Sequence, residues 1–442
     1  MQRKIMKTKR ILIQLCLLAA LLLSPVMAQA GDFVYTNDNG TIRITAYTGL
    51  GGAVTIPDTI DDKLVTVIDT MAFYRRYSLS SVTIGNFVNS LGNYAFAACT
   101  NLTSVTIPSS VTVIGTTAFS DCKRLTSVTI PSSVTIIGGD AFSSCGLTSV
   151  TIPDSVTLIG DGAFALCPLT SVTIGTNVTN LRNGAFFGCS NLTSVTIPSS
   201  VTRIEDSLIE SCTSLRSVTI PNSVTNIGDY AFQSCGNLAS ITIPNSVTNI
   251  GKYAFASCAG LTNVAIGNHV TAIGIYAFYA CHGLTNVVIP DSVINLWDYA
   301  FQNCARLNSV TLGNSVNKVR YCVFYYCTNL TRVTIPTSVT SIGFWAFRNC
   351  TSLTNVTIPN SVTNIEERAF QSCTRLAGVT IPDSVTLIGN YAFAYNSGLA
   401  SVALGNSITS IGDSAFQSCG NLVRVTVPNS VTKIGTFAFA YN

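Results

Sequence analysis

The chain has 442 residues, of which 47% are hydrophobic and only 10% charged, against roughly 25% charged in an ordinary soluble domain. Apolar residues this plentiful and this evenly placed exclude a disordered chain. Residues 1–30 hold five of the 24 Lys and Arg and no acid, so the remainder has 19 basic and 20 acidic residues; a net charge near −1 excludes the broad basic footprint of a nucleic-acid-binding protein.

Arg3, Lys4, Lys7, Lys9 and Arg10 precede an apolar run, Ile11 to Leu23, that is shorter than the roughly 20 residues of a membrane span. Ala28-Gln29-Ala30 follows as a small-residue cleavage motif. The pattern is that of a secretory signal peptide over residues 1–30, with Gly31 as the mature start and an uncleaved anchor as the other reading. The expected location is secreted or cell surface, with no membrane insertion of the mature chain. Residues 31–52 carry no repeat. Ile42 and Ile44 alternate beside Asp38-Asn39-Gly40, which predicts a hairpin that caps the first repeat and shields its open strand edge.

From residue 53 to 442 the chain repeats itself. Phe73, Phe96, Phe119, Phe142, Phe164, Phe186, Phe232, Phe255, Phe278, Phe301, Phe324, Phe347, Phe370, Phe393, Phe416 and Phe439 share one register, with Ile209 filling the one gap. This gives about 17 repeats of 22–23 residues, with no room for a separate globular domain. In one unit, Val128 and Ile130 alternate with Ser127 and Thr129, the period of a half-buried strand. Pro131 ends that strand, and Gly takes the same place at 85, 175, 267, 313 and 405. Val134, Ile137, Ala141, Phe142 and Cys145 follow at 3/4 spacing, read as a brief extended piece and then a single helical turn at Ala-Phe-x-x-Cys. One unit cannot bury its own apolar stripe, but stacked units share one continuous core. Strands about 4.8 Å apart would make a rod or arc on the order of 80 Å long.

The repeat Leu-x-x-Val-x-Ile-Pro-x-x-Val-x-x-Ile-Gly-x-x-Ala-Phe-x-x-Cys resembles the BspA-type leucine-rich repeats of bacterial surface and secreted proteins, over roughly residues 53–442. The resemblance implies a β-rich solenoid, a right-handed coil stack with a parallel β-sheet along one face. It also implies an exported, non-catalytic binding or adhesion protein acting through protein–protein or cell-surface contacts. It departs from the general leucine-rich pattern at Ser110, Ser133 and Ser200, which stand where an Asn or Cys ladder usually follows the strand.

Fourteen of the 16 cysteines fall three residues after the Phe position. Stacked residues point the same way, so their Cβ atoms would lie near 4.8 Å apart, wider than the roughly 3.8 Å of a disulfide. A buried column of free thiols is therefore favoured over scattered disulfides or a metal ladder. Cys322, off the column, pairs best with Cys327 if any single disulfide forms. His269 and His282 occupy different repeat positions, and Asp206, Asp229, Asp298 and Asp413 share one that reads as a turn cap. No nucleophile, phosphate-binding or metal-ligand motif appears, so no catalytic residue, metal or cofactor is expected and the chain reads as a non-enzyme.

Two surface columns remain. Two residues before Phe stand Tyr230, Tyr253, Tyr276 and Tyr299, then Trp345 after an interruption at Cys322, then Tyr391. This column is the candidate ligand-binding site, for a protein or glycan; the plainer reading is stacking that only stabilises the rod. A Ser-x-Thr array along the strand, as at Ser104 and Thr106, reads as ordinary exposed strand chemistry, with ice or crystalline polysaccharide as the bolder option. The last repeat ends at Asn442 without a polar capping unit. That motivates the alternative of a structural envelope or matrix protein self-assembling through solenoid ends.

Overall fold

The computed structural model describes residues 30–442, so the secretion signal read over residues 1–30 lies, but for Ala30, outside the described residues. Strands β1 (Phe33–Asp38) and β2 (Thr41–Tyr47) form an antiparallel hairpin. Its two-residue turn, Asn39-Gly40, has positive φ at both positions, as a tight hairpin turn demands. Strands β3 (Gly52–Thr55), β4 (Thr59–Ile60) and β5 (Lys63–Ile68) begin the repeats, and β2 pairs in parallel with β5.

Most coils, named here by their Phe position from Phe73 (coil 1) to Phe439 (coil 17), have two short strands. The first is the Ser-Val-Thr segment, which at some steps pairs in parallel with its neighbour one repeat on, as in Ser149↔Ser171. The second is a two-residue piece such as Asn249–Ile250, flanked by Asn226–Ile227 and Ala272–Ile273. The stack thus carries two parallel ladders, the expected sheet and another built by the extended piece. Between them runs one core, in which the Leu, Val, Ile, Ala, Phe and Cys columns are almost wholly buried. Phe rings of successive coils stack through it, as at Phe255 and Phe278, 5.2 Å apart.

The helical turn expected at Ala-Phe-x-x-Cys is not formed. In coil 9, Tyr253 and Ser257 have left-handed φ of 55° and 59°. The N–H groups of Ala254, Ala256 and Cys258 donate back to Gly251, Tyr253 and Phe255, closing successive β-turns. Those of Tyr253, Phe255 and Ser257 donate to Ile275, Ala277 and Tyr279 of the next coil at 2.7–2.9 Å. Turns that each span three residues mimic helical spacing, but they start two residues apart and leave alternate N–H groups free to join coils. A four-residue helix would sacrifice those bonds and is too short to nucleate.

The place where Pro alternates with Gly has a steric explanation. A Cβ on Gly85, Gly175, Gly267, Gly313 or Gly405 would meet the carbonyl oxygen of the Pro in the preceding coil at 2.3–2.8 Å. All five glycines follow a coil that carries Asp or Asn just after its Pro: Asp58, Asp154, Asn245, Asp291 and Asp383. That side chain accepts the N–H of the residue after Gly, at 2.6–2.8 Å. Every Pro-to-Gly step also has paired first strands. Elsewhere those strands pair at only three steps among the described residues. Gly lets two coils close together, and most Pro-to-Pro steps stay apart along this edge.

Candidate binding face

The turn segment is where the chain displays large side chains. Its left-handed positions, two residues before and two after Phe, cost an L-residue about 1–2 kcal/mol each. Coil 6 avoids that cost at both positions with Gly184 and Gly188, and coil 5 at the first with Gly162. Coils 8 to 11 instead place Tyr230, Tyr253, Tyr276 and Tyr299 there, half-buried. Their rings stack nearly parallel, with centroids 5.2, 4.7 and 4.3 Å apart. Each such pair contributes about 0.5–1.5 kcal/mol beyond burial, which offsets part of the backbone cost. Burial pushes the phenols of Tyr253, Tyr276 and Tyr299 up, the last helped by a hydrogen bond to Tyr321, so they remain neutral donors.

Four of the five residues read from the sequence therefore form one continuous ladder. Trp345 does not stack on it directly, because Cys322 occupies the intervening position. The connection runs through Tyr321, edge-on to Tyr299 at 4.9 Å and stacked on Phe344 at 5.2 Å. Phe344 in turn lies 5.1 Å from Trp345, which also meets Tyr325 at 5.4 Å. The ribbon thus continues from Tyr230 to Trp345 by shifting one residue and back. The sequence reading missed Tyr321 and Phe344; the signal was two aromatics one position early, in the coil of the break and the coil after it. Cations border the ribbon, with Lys252 5.4 Å from the Tyr253 ring centre and Arg348 4.4 Å from that of Trp345.

Within the tyrosine run, rings cover one another's faces, which leaves ring rims and hydroxyls at the surface.

The other candidate groups sit apart from the ribbon's rings. Asp206 accepts the N–H of Asp229, Asp229 that of Lys252, and Asp413 that of Thr436, at 2.7–2.8 Å, so this acid position caps the next coil's turn. His269 and His282 are exposed and in different parts of the coil. Ser133 and Ser200 donate to Val111 and Val178 of the preceding coil at 2.7 and 2.6 Å, a serine ladder in place of the Asn or Cys one. Among the described residues no group of three or more His, Cys, Asp or Glu is placed to hold a metal ion, and no helix is long and apolar enough to cross a membrane.

The 15 described cysteines are free and buried. Each of the 14 in the column donates its thiol to the carbonyl of the Phe position one coil back, as Cys258 does to Phe232 at 3.2 Å. Cys322 and Cys327 are separate thiols: Cys327 donates to Phe301, while Cys322 is buried in the turn segment near Tyr321 and Arg348. Burial pushes the thiols of Cys167, Cys258, Cys304 and Cys373 up to about 12, which leaves them poor nucleophiles.

Fold and site together define a leucine-rich-repeat solenoid whose variable side chains are displayed on a rigid stack. The chain belongs to the BspA-type leucine-rich-repeat family: the BspA type leucine rich repeat region matches six times, jointly spanning residues 52–442. Two solved structures resemble it. A leucine-rich repeat protein from Bacteroides ovatus is 29% identical over 91% of this chain and 98% of its own, with a TM-score of 0.69. A leucine rich cell surface protein from Faecalibacterium prausnitzii is 32% identical over 70% of this chain and 94% of its own, with a TM-score of 0.50. Comparison with curated proteins gives no match.

Proposed function

We propose that this is an exported, non-catalytic binding protein that adheres to a protein on a cell or matrix surface. The contact runs along the aromatic ribbon from Tyr230 to Trp345. The observation that carries this reading is the ribbon itself: coils 8 to 11 hold four successive tyrosines in a left-handed backbone position that coils 5 and 6 fill with Gly. The signal-peptide pattern read in the sequence of residues 1–30 and the cell-surface protein of similar fold support export and surface location.

The test is binding of the purified 31–442 chain to matrix proteins, glycans and whole cells. Tyr253→Phe with Tyr276→Phe keeps the stack and removes two hydroxyls; Tyr253→Ala with Tyr276→Ala removes the rungs. Saturable binding weakened by both variants, with unchanged thermal unfolding for the Phe pair, is expected. Absence of saturable binding at micromolar concentration, with filaments growing instead, would overturn adhesion in favour of self-assembly through solenoid ends.

A further inference from the structure

The charges are unevenly distributed along the stack. Between Asp298 and Glu366 there is no acid at all, whereas Arg306, Lys318, Arg320, Arg332 and Arg348 lie there. With those five removed from the 19 basic residues after residue 30, the rest of the mature chain has 14 basic and 20 acidic residues. Coils 12 and 13 thus carry a cationic belt on an otherwise acidic rod, bounded by Asp298 of coil 11 and by Glu366 of coil 14, whose carboxylate accepts the Phe344 N–H at 3.1 Å; the belt's field reaches about a Debye length, roughly 8 Å, at physiological salt.

Within the belt two arginines are held in place. The chain has two tryptophans, and each has an arginine over its ring: Arg320 over Trp297 at 4.5 Å, Arg348 over Trp345 at 4.4 Å. Arg348 also lies 5.6 Å from the Tyr325 ring centre. Both arginines are half-buried. Among the described residues neither has a carboxylate within ion-pair distance, unlike Arg368, which pairs with Glu367 at 3.0 Å. The Nε of Arg348 and the Nε1 of Trp345 are buried without a hydrogen-bond partner. Arg320 precedes Tyr321, whose ring packs on Phe344 and Trp345, so both pairs border one aromatic cluster.

Stacking fixes the guanidinium plane and leaves its in-plane N–H donors to a ligand, the arrangement suited to bidentate recognition of a planar anion. Within the binding role proposed above, we infer that the Trp297–Arg320 and Trp345–Arg348 pairs form an anion-recognition site for a carboxylate-rich stretch of the protein partner. The tyrosine rungs next to it contact the partner's flanking segment. The belt steers the acidic segment in, and the two arginines orient it.

The test uses fluorescent oligoglutamate and oligoglutamine peptides with the 31–442 chain, and cell or matrix binding measured in parallel. Arg320→Gln with Arg348→Gln is compared with Arg124→Gln with Arg216→Gln, two exposed arginines elsewhere whose loss changes the net charge equally. Oligoglutamate is expected to bind in preference to oligoglutamine, with the stacked pair's loss weakening it about tenfold and the control pair's about twofold at most. Arg348→Lys, which keeps the charge without the fork, should recover only part of the loss. Equal effects of the two double variants, or no preference for glutamate, would overturn the site. So would heparin binding that depends on Arg320 and Arg348 without any oligoglutamate binding, since the ligand would then be an anionic polysaccharide. Cell or matrix binding that persists through any of these failures would leave the adhesion role standing; its absence in the unaltered chain would overturn that role instead.

Discussion

Raising the pH from 8 to 10 should weaken the solenoid through its thiol column, and removing two thiols should blunt that loss by a calculable amount. Cys258 and Cys304 are fully buried and keep their protons up to about 12, against 9.0 for an unperturbed thiol. A group whose folded pKa is raised contributes stability that is fully present below the unfolded value. That contribution is lost as pH climbs from the unfolded value toward the folded one. At pH 10 the open chain has released most of each proton and the folded chain almost none, so each thiol forfeits about 1.4 kcal/mol relative to pH 8. Cys258→Ala with Cys304→Ala should therefore lose about 3 kcal/mol less than the unaltered chain across that interval. Its stability at pH 8 will be lower, because two buried side chains and two thiol-to-carbonyl bonds are gone. Urea unfolding under argon with reductant, at both pH values, gives the difference of differences, in which tyrosine and lysine titrations cancel. Equal losses in the two proteins would mean that the column ionises while folded, and the account of these cysteines as inert donors would be wrong.

Three further substitutions probe the stack. Asn396 stands in the cysteine column, fully buried, with both side-chain polar atoms unpartnered; Asn396→Cys should stabilise by about 1–3 kcal/mol, read by urea unfolding. Gly267→Ala would put a Cβ 2.5 Å from the Pro244 carbonyl oxygen and should cost about 1–3 kcal/mol. It should also speed hydrogen exchange at the Ile243 amide, which bonds Ala265 across the same step; Gly236→Ala, with nothing within 4 Å, is the neutral control. Ser257→Gly, at φ 59°, should raise stability by about 0.5–1 kcal/mol, since relief of left-handed strain exceeds the extra chain entropy, and thermal unfolding reads it.

The repeat was legible because its period is written in identity: Ala-Phe recurs whatever lies between. The strand was legible from Val128 and Ile130, since alternation has one physical meaning. The segment through Ala141, Phe142 and Cys145 was misread because consecutive β-turns and a helix both return a side chain to the core every three to four residues. What separates them is φ at positions such as Tyr253 and Ser257, and neither residue advertises a left-handed conformation as Gly or Asn would. The tyrosine column was visible as a list of positions. Its continuation through Tyr321 and Phe344 was not, because a ladder that steps sideways by one residue breaks the register by which columns are read.

The Pro and Gly corner bears on how such a rod changes length. A coil ending in Pro-Asp or Pro-Asn and the Gly-bearing coil after it are bonded along the strand, across the corner and through the turn. Most Pro-to-Pro boundaries lack paired first strands and are joined by the second ladder, the turn and single bonds such as that from Ser133 to Val111. Gain or loss of a coil at one of the looser boundaries severs no matched Asp–Gly contact and inserts one more rung into every column. The matched doublet is thus the unit most safely copied whole, and recombination at the open boundaries can lengthen or shorten the display surface while each residue on it keeps its place in the coil.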